Sequence, residues 1–218
     1  MQRSIHQLDT TNNVLRNVAR KLTKEEIVSS EIQLLIQEMK EIMRSAPGVG
    51  LAAPQIGISI QLAVIEDSEE RLKGLPSGIL AERGRKPVPF HVIINPEIIK
   101  QSQQTNYFFE GCLSIKGRAR ITPRSETITV RYLDEHGDSK EVTAHGWYAR
   151  ILQHEIGHLN CKLYTDLSDP RTELETDETF KQHWHNASKA TLLQFFKEQC
   201  PDLNCPDLEI HSSNEPKL

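Results

Sequence analysis

From Trp147 to Leu159 the apolar period changes from two to near four, so strand-like sequence gives way to a helix. That helix is constrained on two faces. Leu152, Ile156 and Leu159 make a stripe that needs a core, while Ile151, His154, Glu155 and His158 make the adjacent one. In His154-Glu155-Ile156-Gly157-His158, residues four apart share a face, so both imidazoles can reach one divalent cation while Glu155 points toward the same open position. Two buried imidazoles with a carboxylate between them need partners or a cation, and a metal supplies both. The pattern points to a metal-dependent hydrolase.

The rest of the chain supplies the elements around it. Thr23 and Glu26 form a capping box, and Ile27, Leu34, Leu35, Ile42 and Met43 recur near helical spacing until Pro47 and Gly48, which predicts one amphipathic helix. Gly48-Val49-Gly50-Leu51-Ala52-Ala53-Pro54-Gln55-Ile56-Gly57 follows, where small residues let backbone come close to another group. Leu62 to Ile65, Pro89 to Ile94, Glu97 to Gln101 and Thr127 to Tyr132 read as strands, with Asp134 to Asp138 a hairpin turn into Lys140 to Ala144. Arg71 to Pro87 reads as a surface loop, and Glu110-Gly111-Cys112-Leu113-Ser114 as turn-like. Asp177 to Gln199 predicts a closing amphipathic helix striped by Phe180, Trp184, Ala187, Thr191 and Phe195. The polar composition after Pro201 predicts a disordered tail, giving one catalytic domain over 1–200 and a tail over 201–218.

Composition narrows the class. With 26 basic and 30 acidic residues the formal net charge is -4, which gives no global attraction to nucleic acid or to an anionic membrane surface. No apolar run approaches the ~20 residues needed to span a bilayer. The first twenty residues hold no apolar signal core, so the expected location is cytoplasmic. Four cysteines are too few for a disulfide scaffold and are expected as reduced thiols.

The third donor decides the kind of site. A metzincin arrangement needs Gly three and His six positions after His158, where this chain has Cys161 and Tyr164. Glu173, Glu175 and Glu178 lie downstream and can serve in a thermolysin-like arrangement. Cys161 falls where the helix is ending and reads better as a small buried thiol. Cys112 is the remaining candidate, a thiolate beside Gly111 and Leu113, whose backbone can approach a substrate closely.

Gly48-Val49-Gly50-Leu51-Ala52-Ala53-Pro54-Gln55, Glu110-Gly111-Cys112-Leu113-Ser114 and Gln153-His154-Glu155-Ile156-Gly157-His158-Leu159 resemble the three signature motifs of the peptide deformylases, in the family's order and with compatible spacing. The resemblance covers roughly Asn13 to Asp166 and includes Val14-Leu15-Arg16, Gly146-Trp147 and Ala149-Arg150-Ile151, an approach to the third motif that looks like the organelle-type branch. It implies a small α+β fold, with mixed or antiparallel sheets around a central metal helix, and removal of the formyl group from N-terminal formylmethionine. By motif position, Cys112, His154 and His158 would bind the metal and Glu155 would be the general acid/base. Gln55 and the Leu113 N–H would stabilise the oxyanion, and Gly50 would hydrogen-bond the substrate backbone. Val49, Phe108, Glu110, Gly111, Trp147 and Ile151 are expected around the substrate. The implied metal is Fe(II), with Zn, Ni or Co able to substitute. The implied partners are formylated nascent peptides and the ribosome near its peptide exit, with the protein a monomer.

The chain departs from the family's pattern in places. Gly157 stands where the family usually has Asp, and a mid-helix Gly costs about 1 kcal/mol relative to Ala. Asn160-Cys161 replaces an ending in Gly, so the helix exit is expected to differ. Ala119 stands where bacterial members commonly carry a substrate-side Arg, with Arg118 and Arg120 on either side. Two other functions compete: an HExxH metallopeptidase cutting internal bonds with a downstream carboxylate ligand, and a catalytically weak binder of formylated N-termini.

Overall fold

The computed structural model describes residues 3–8, 13–46 and 48–202. The capping box is present, with Thr23 Oγ1 accepting from the Glu26 N–H at 3.2 Å and Glu26 Oε2 accepting from the Thr23 N–H at 2.8 Å. It starts only a short helix, α1 (Lys24–Ile27). Ser29 then intervenes: its hydroxyl donates to the Glu26 carbonyl at 2.6 Å and accepts from the Ile32 N–H at 3.4 Å, capping a second helix, α2 (Ser30–Ser45). The single helix expected here is therefore two. The restart moves the buried stripe to Ile32, Leu35, Ile36, Met39 and Met43, and Leu34 is left 71% exposed.

Beyond α2 the chain forms β1 (Gly50–Ala52), β2 (Leu62–Asp67), α3 (Glu69–Leu72), α4 (Ser77–Glu82), β3 (Val88–Gln101), β4 (Thr105–Cys112), β5 (Ile115–Ser125), β6 (Thr127–Leu133), β7 (Ser139–His145), α5 (Gly146–Leu159), β8 (Leu174–Glu175), α6 (Glu178–His183) and α7 (Lys189–Gln199). Two antiparallel sheets result, a five-stranded one in the order β1-β2-β3-β6-β7 and a three-stranded one in the order β4-β5-β8. This is the α+β arrangement of antiparallel sheets about a central helix.

Strand β2 explains why its sequence is apolar throughout. Leu62 and Val64 face the cluster that includes Met39 and Met43 of α2, while Ala63 and Ile65 face the cluster that includes Leu152 and Ile156 of α5. Both faces are covered, so both alternating sets are buried. The two strands expected over 89–101 are one, β3, broken in register between Ile94 and Glu97. Asn95 sits in that break at φ +50° and bonds both the N–H and the carbonyl of Leu22.

Three further expectations are corrected. The stretch over 71–87 holds helix α4 and the buried Arg83, whose guanidinium lies 5.4 Å from the Phe108 ring and 5.3 Å from the Trp147 ring and donates to the His185 and Ala187 carbonyls. The closing helix is two helices, because Ser188 caps α7 by accepting from the Thr191 N–H at 3.1 Å. Its buried residues are Phe180, Ala187, Leu192, Leu193 and Phe196, with Thr191 exposed. The turn-like run at Cys112 is the tip of the β4–β5 hairpin, whose strands carry no sustained apolar alternation to read. Cys200 is buried against the cluster of Phe108, Leu193 and Phe196; residues 203–218, expected as a tail, lie outside the described residues.

An amino-terminal strap crosses from one motif to another. The His6 N–H donates to the Gln55 carbonyl at 2.7 Å and the Leu8 N–H to the Ser114 carbonyl at 2.7 Å. Gln7 brackets the hairpin tip between them, donating to the Leu113 carbonyl at 2.9 Å and accepting from the Lys116 N–H at 3.1 Å.

Candidate metal centre

Helix α5 carries His154 and His158 on the face turned from the five-stranded sheet, and the end of β4 brings Cys112 to them. The Cys112 Sγ lies 3.3 Å from His158 Nε2, which is 3.2 Å from His154 Nε2, and the three donor atoms all lie within 4.8 Å of one another. Among the described residues this is the one group of three or more Cys, His, Asp or Glu so disposed. One thiolate and two imidazoles converging on a point fit a divalent cation.

Glu110 orients this cluster. It lies two residues before Cys112 on the same face of β4, and its Oε2 is 3.0 Å from His154 Nδ1. A carboxylate only accepts, so Nδ1 carries a proton and Nε2 is the atom left to face Cys112 and His158. Arg124 grips the same carboxylate with two bonds of 2.9 and 2.8 Å, and Arg150 adds a third of 2.6 Å. Burial alone would raise the Glu110 pKa, but Arg124, His154 and Arg150 together hold it well below the usual carboxylate range. The two imidazoles are driven apart. Burial would lower His154, yet its bonds to Cys112 and Glu110 push it up to about 10. Burial and the neighbouring His154 drive His158 well below the usual value.

Glu155 is 4% exposed and its Oε2 has no hydrogen-bond partner. Burial pushes its pKa up to about 7, against the pull of His154 and Arg124. Its position depends on Gly50, where a Cβ would lie 2.3 Å from Glu155 Oε1. Gln55, in the 3-10 turn Ala53–Ile56, is 1% exposed. Its carboxamide accepts from the Ala52 N–H at 2.8 Å and donates to Ser114 Oγ at 3.4 Å and Cys112 Sγ at 3.5 Å, so it abuts the cluster. Leu113 forms the hairpin turn with Ser114; a Cβ on Gly48 would lie 2.7 Å from Leu113 Cδ1, so the first and second motifs touch. Val49 is half-buried on the same side and its carbonyl accepts from Glu66.

The structure does not gather every residue expected around the substrate. Glu110 is buried beneath His154 and committed to Arg124 and Arg150, because strand alternation turns it inward. Phe108 shares that face and packs edge-on to Trp147, at 6.1 Å, beside the amino end of α5 and away from the donors. Ile151 is buried in the core between α5 and the large sheet. Gly111 is exposed, opposite the buried Ala119. Arg118 and Arg120 both reach Glu173, at 3.0 and 2.8 Å, which occupies the two cations beside Ala119 and removes Glu173 as a third donor. Glu175 and Glu178 pair with Arg118 and Lys181. The sequence reading missed Arg124 and Tyr164, whose ring stacks on His154 at 6.3 Å. It also left Arg150 without a role. Its place four residues before His154 was the signal, since that spacing shares one helix face.

Two antiparallel sheets folded about a His-Glu-x-x-His helix, with a thiol brought to the imidazoles, make a candidate metal centre of the kind metallohydrolases carry. Comparison with known proteins carries this to a family. The profile of polypeptide deformylases matches residues 4–173, and the chain belongs to that family, which is metal-dependent. It is 45% identical over 159 residues to peptide deformylase 1A, chloroplastic, from Solanum lycopersicum, an alignment covering 73% of this chain and 57% of that protein. The chain thus spans little more than half the length of that relative. Among solved structures it resembles a peptide deformylase from Synechococcus elongatus in complex with actinonin, with a TM-score of 0.64, 36% identity, and 78% and 80% of the two chains covered. A Met-Ala-Ser-bound class I type b peptide deformylase from Acinetobacter baumannii matches with a TM-score of 0.65 at 28% identity, covering 77% and 99%. No helix among the described residues is long and apolar enough to cross a membrane.

Proposed function

We propose that this chain hydrolyses the formamide of N-terminal formylmethionine on nascent polypeptides, giving formate and a free α-amine. The observation that carries the reading is the Cys112, His154 and His158 cluster beside a buried Glu155 with an unpartnered oxygen, within a chain of this family. In the proposal those three residues hold one divalent cation. Fe(II) suits the mixed thiolate and imidazole set, and Zn, Ni or Co can take its place. When bound, the cation supplies a Lewis acid for the formyl carbonyl and lowers the pKa of the attacking water.

The remaining work falls to the chain's own groups. Glu155, poised near neutrality, takes the water proton as oxygen adds to the formyl carbon, and returns it to the nitrogen as the C–N bond breaks. The Gln55 carboxamide and the Leu113 N–H are neutral donors for the oxyanion, which favours charge formed in the transition state. Glu110 keeps His154 in one tautomer throughout. The substrate is a formylated nascent chain, met by a monomer at the ribosome's peptide exit. We place this in the cytoplasm; the tomato relative's name carries a chloroplast location, and fractionation of the host cell decides the compartment.

The test is formate release from a formyl-Met tripeptide under anaerobic conditions, with metal analysis on the same sample. Glu155→Gln should keep its metal and lose a factor of ~10² to 10⁴ in kcat, since an amide cannot take the water proton. Activity within a few-fold of wild type would move the base elsewhere, and no formate from metal-loaded protein would overturn the reading.

A further inference from the structure

Past the end of α5 the chain turns at the left-handed Cys161, and the 3-10 turn Tyr164–Asp166 brings an aromatic ring back to the site. Tyr164 is 1% exposed, and its ring lies nearly parallel to that of His154, with the planes 17° and the centroids 6.3 Å apart. Its hydroxyl donates to the Arg118 carbonyl at 3.2 Å. That proton is committed, so the phenol is no proton source for a reaction at the site.

Each end of this side chain meets one half of the candidate metal centre. An imidazole's χ2 is a broad torsion, and the Glu110 bond at Nδ1 pins one edge of His154 while leaving the ring free to turn about that contact. A flat neighbour against the ring removes the freedom. At the other end, Arg118 precedes Ala119, the register partner of Gly111, and its carbonyl lies 3.4 Å from where a Gly111 Cβ would stand, one residue before Cys112. The turn itself is held. Asp166 accepts from the Leu163 N–H at 2.8 Å and pairs with Arg16 at 2.5 Å, and the Tyr164 carbonyl accepts from the buried Ser168 hydroxyl at 2.9 Å.

We propose that Tyr164 is a positioning residue for the metal centre, its ring setting the plane of His154 and its hydroxyl setting the distance from α5 to the strand pair that carries Cys112. The amino-terminal strap holds the hairpin tip, at Leu113, Ser114 and Lys116, to the turn bearing Gln55. Tyr164 holds the hairpin stem to the end of the metal helix. The inference rests on the metal centre of the proposed reading and is independent of which bond that centre hydrolyses.

The test is anaerobic Co(II) titration of the metal-free protein, followed by its visible ligand-field bands, for the wild type, Tyr164→Phe and Tyr164→Met. Tyr164→Met fills the space without a flat face or a hydroxyl, so its Kd should rise roughly 10- to 100-fold, as loss of an orienting outer partner does, and its bands at saturation should differ from wild type. Tyr164→Phe keeps the ring, so its saturated spectrum should match wild type while Kd rises roughly two- to tenfold, as one neutral hydrogen bond supplies. Wild-type affinity in both variants, or a weaker Tyr164→Met with an unchanged saturated spectrum, overturns the proposal and assigns Tyr164 to packing alone. Thermal melts show whether the variants fold; should Tyr164→Met not, a wild-type Kd in Tyr164→Phe overturns the proposal by itself. Wild type that binds no Co(II) removes the metal centre and this role together. Co(II)-loaded protein that releases no formate removes the deformylase reading and leaves the role of Tyr164 standing.

Discussion

Glu110 carries three charged partners on two oxygens, which makes it the residue on which the metal helix is hung. Its linkage to pH has a definite sign. A carboxyl held well below its unfolded value of about 4.3 contributes stability that is complete above that value and is lost as pH falls through the folded one. In the metal-free protein, urea midpoints should therefore drop steeply below about pH 4.3 for the wild type. Glu110→Gln should be weaker at pH 7 and fall less steeply in acid, keeping only the slope that other depressed carboxyls such as Asp134, Asp166 and Asp169 supply. Equal acid slopes in the two proteins would contradict the coupling. The donors His154 and His158 were readable because their spacing is local, four residues on one helix. Glu110 could not be read the same way, since its partners Arg124 and Arg150 lie 14 and 40 residues away and meet it only through the β4–β5 pairing and the packing of α5 against it.

At the scale of elements, the end of α5 departs most from what its residue types prefer. The helix runs unbroken through Gly157, whose carbonyl accepts from the N–H groups of both Asn160 and Lys162 at 2.9 Å. This closing pattern needs a left-handed residue at Cys161, which stands at φ +54°. A side chain in that conformation costs ~1 kcal/mol or more, whereas glycine adopts it freely. Cys161→Gly should therefore stabilise the protein by about 1 kcal/mol and raise Tm by roughly 2 to 4 °C. A melt at or below the wild-type temperature would show that the thiol makes compensating contacts. The exit was expected to differ because Asn160-Cys161 replaces an ending in Gly, but the chain keeps the left-handed closing turn with Cys161 in the glycine's place. The splitting of both amphipathic helices was not legible, because Ser29 and Ser188 lie inside apolar patterns that continue across them, and only their hydroxyl bonds reveal a cap.

Across the whole molecule, the strap over residues 3–8 joins the turn that bears Gln55 to the hairpin that bears Cys112, and Gln7 makes two of the joining bonds. Removing them leaves every motif residue in place but frees the tip, and small misplacements are costly to a hydrolytic site. Gln7→Ala should lower kcat by roughly tenfold with metal stoichiometry and KM little changed; an unchanged kcat, or a loss that follows lost metal, would assign the strap to folding alone. The strap was invisible to pattern reading because a six-residue extended segment without alternation carries no period. The closed end of β1 has its own consequence for what the molecule can process. Pro54 has no N–H to continue a ladder, and Gln55 and Glu155 fill the space beyond Ala52 and Gly50. On the proposed reading, a substrate's formylated end stops beside Gly50 and Glu155, and an uninterrupted polypeptide finds no room to continue past Ala52. Selection of chain ends over interior bonds would then belong to the backbone of one three-residue strand.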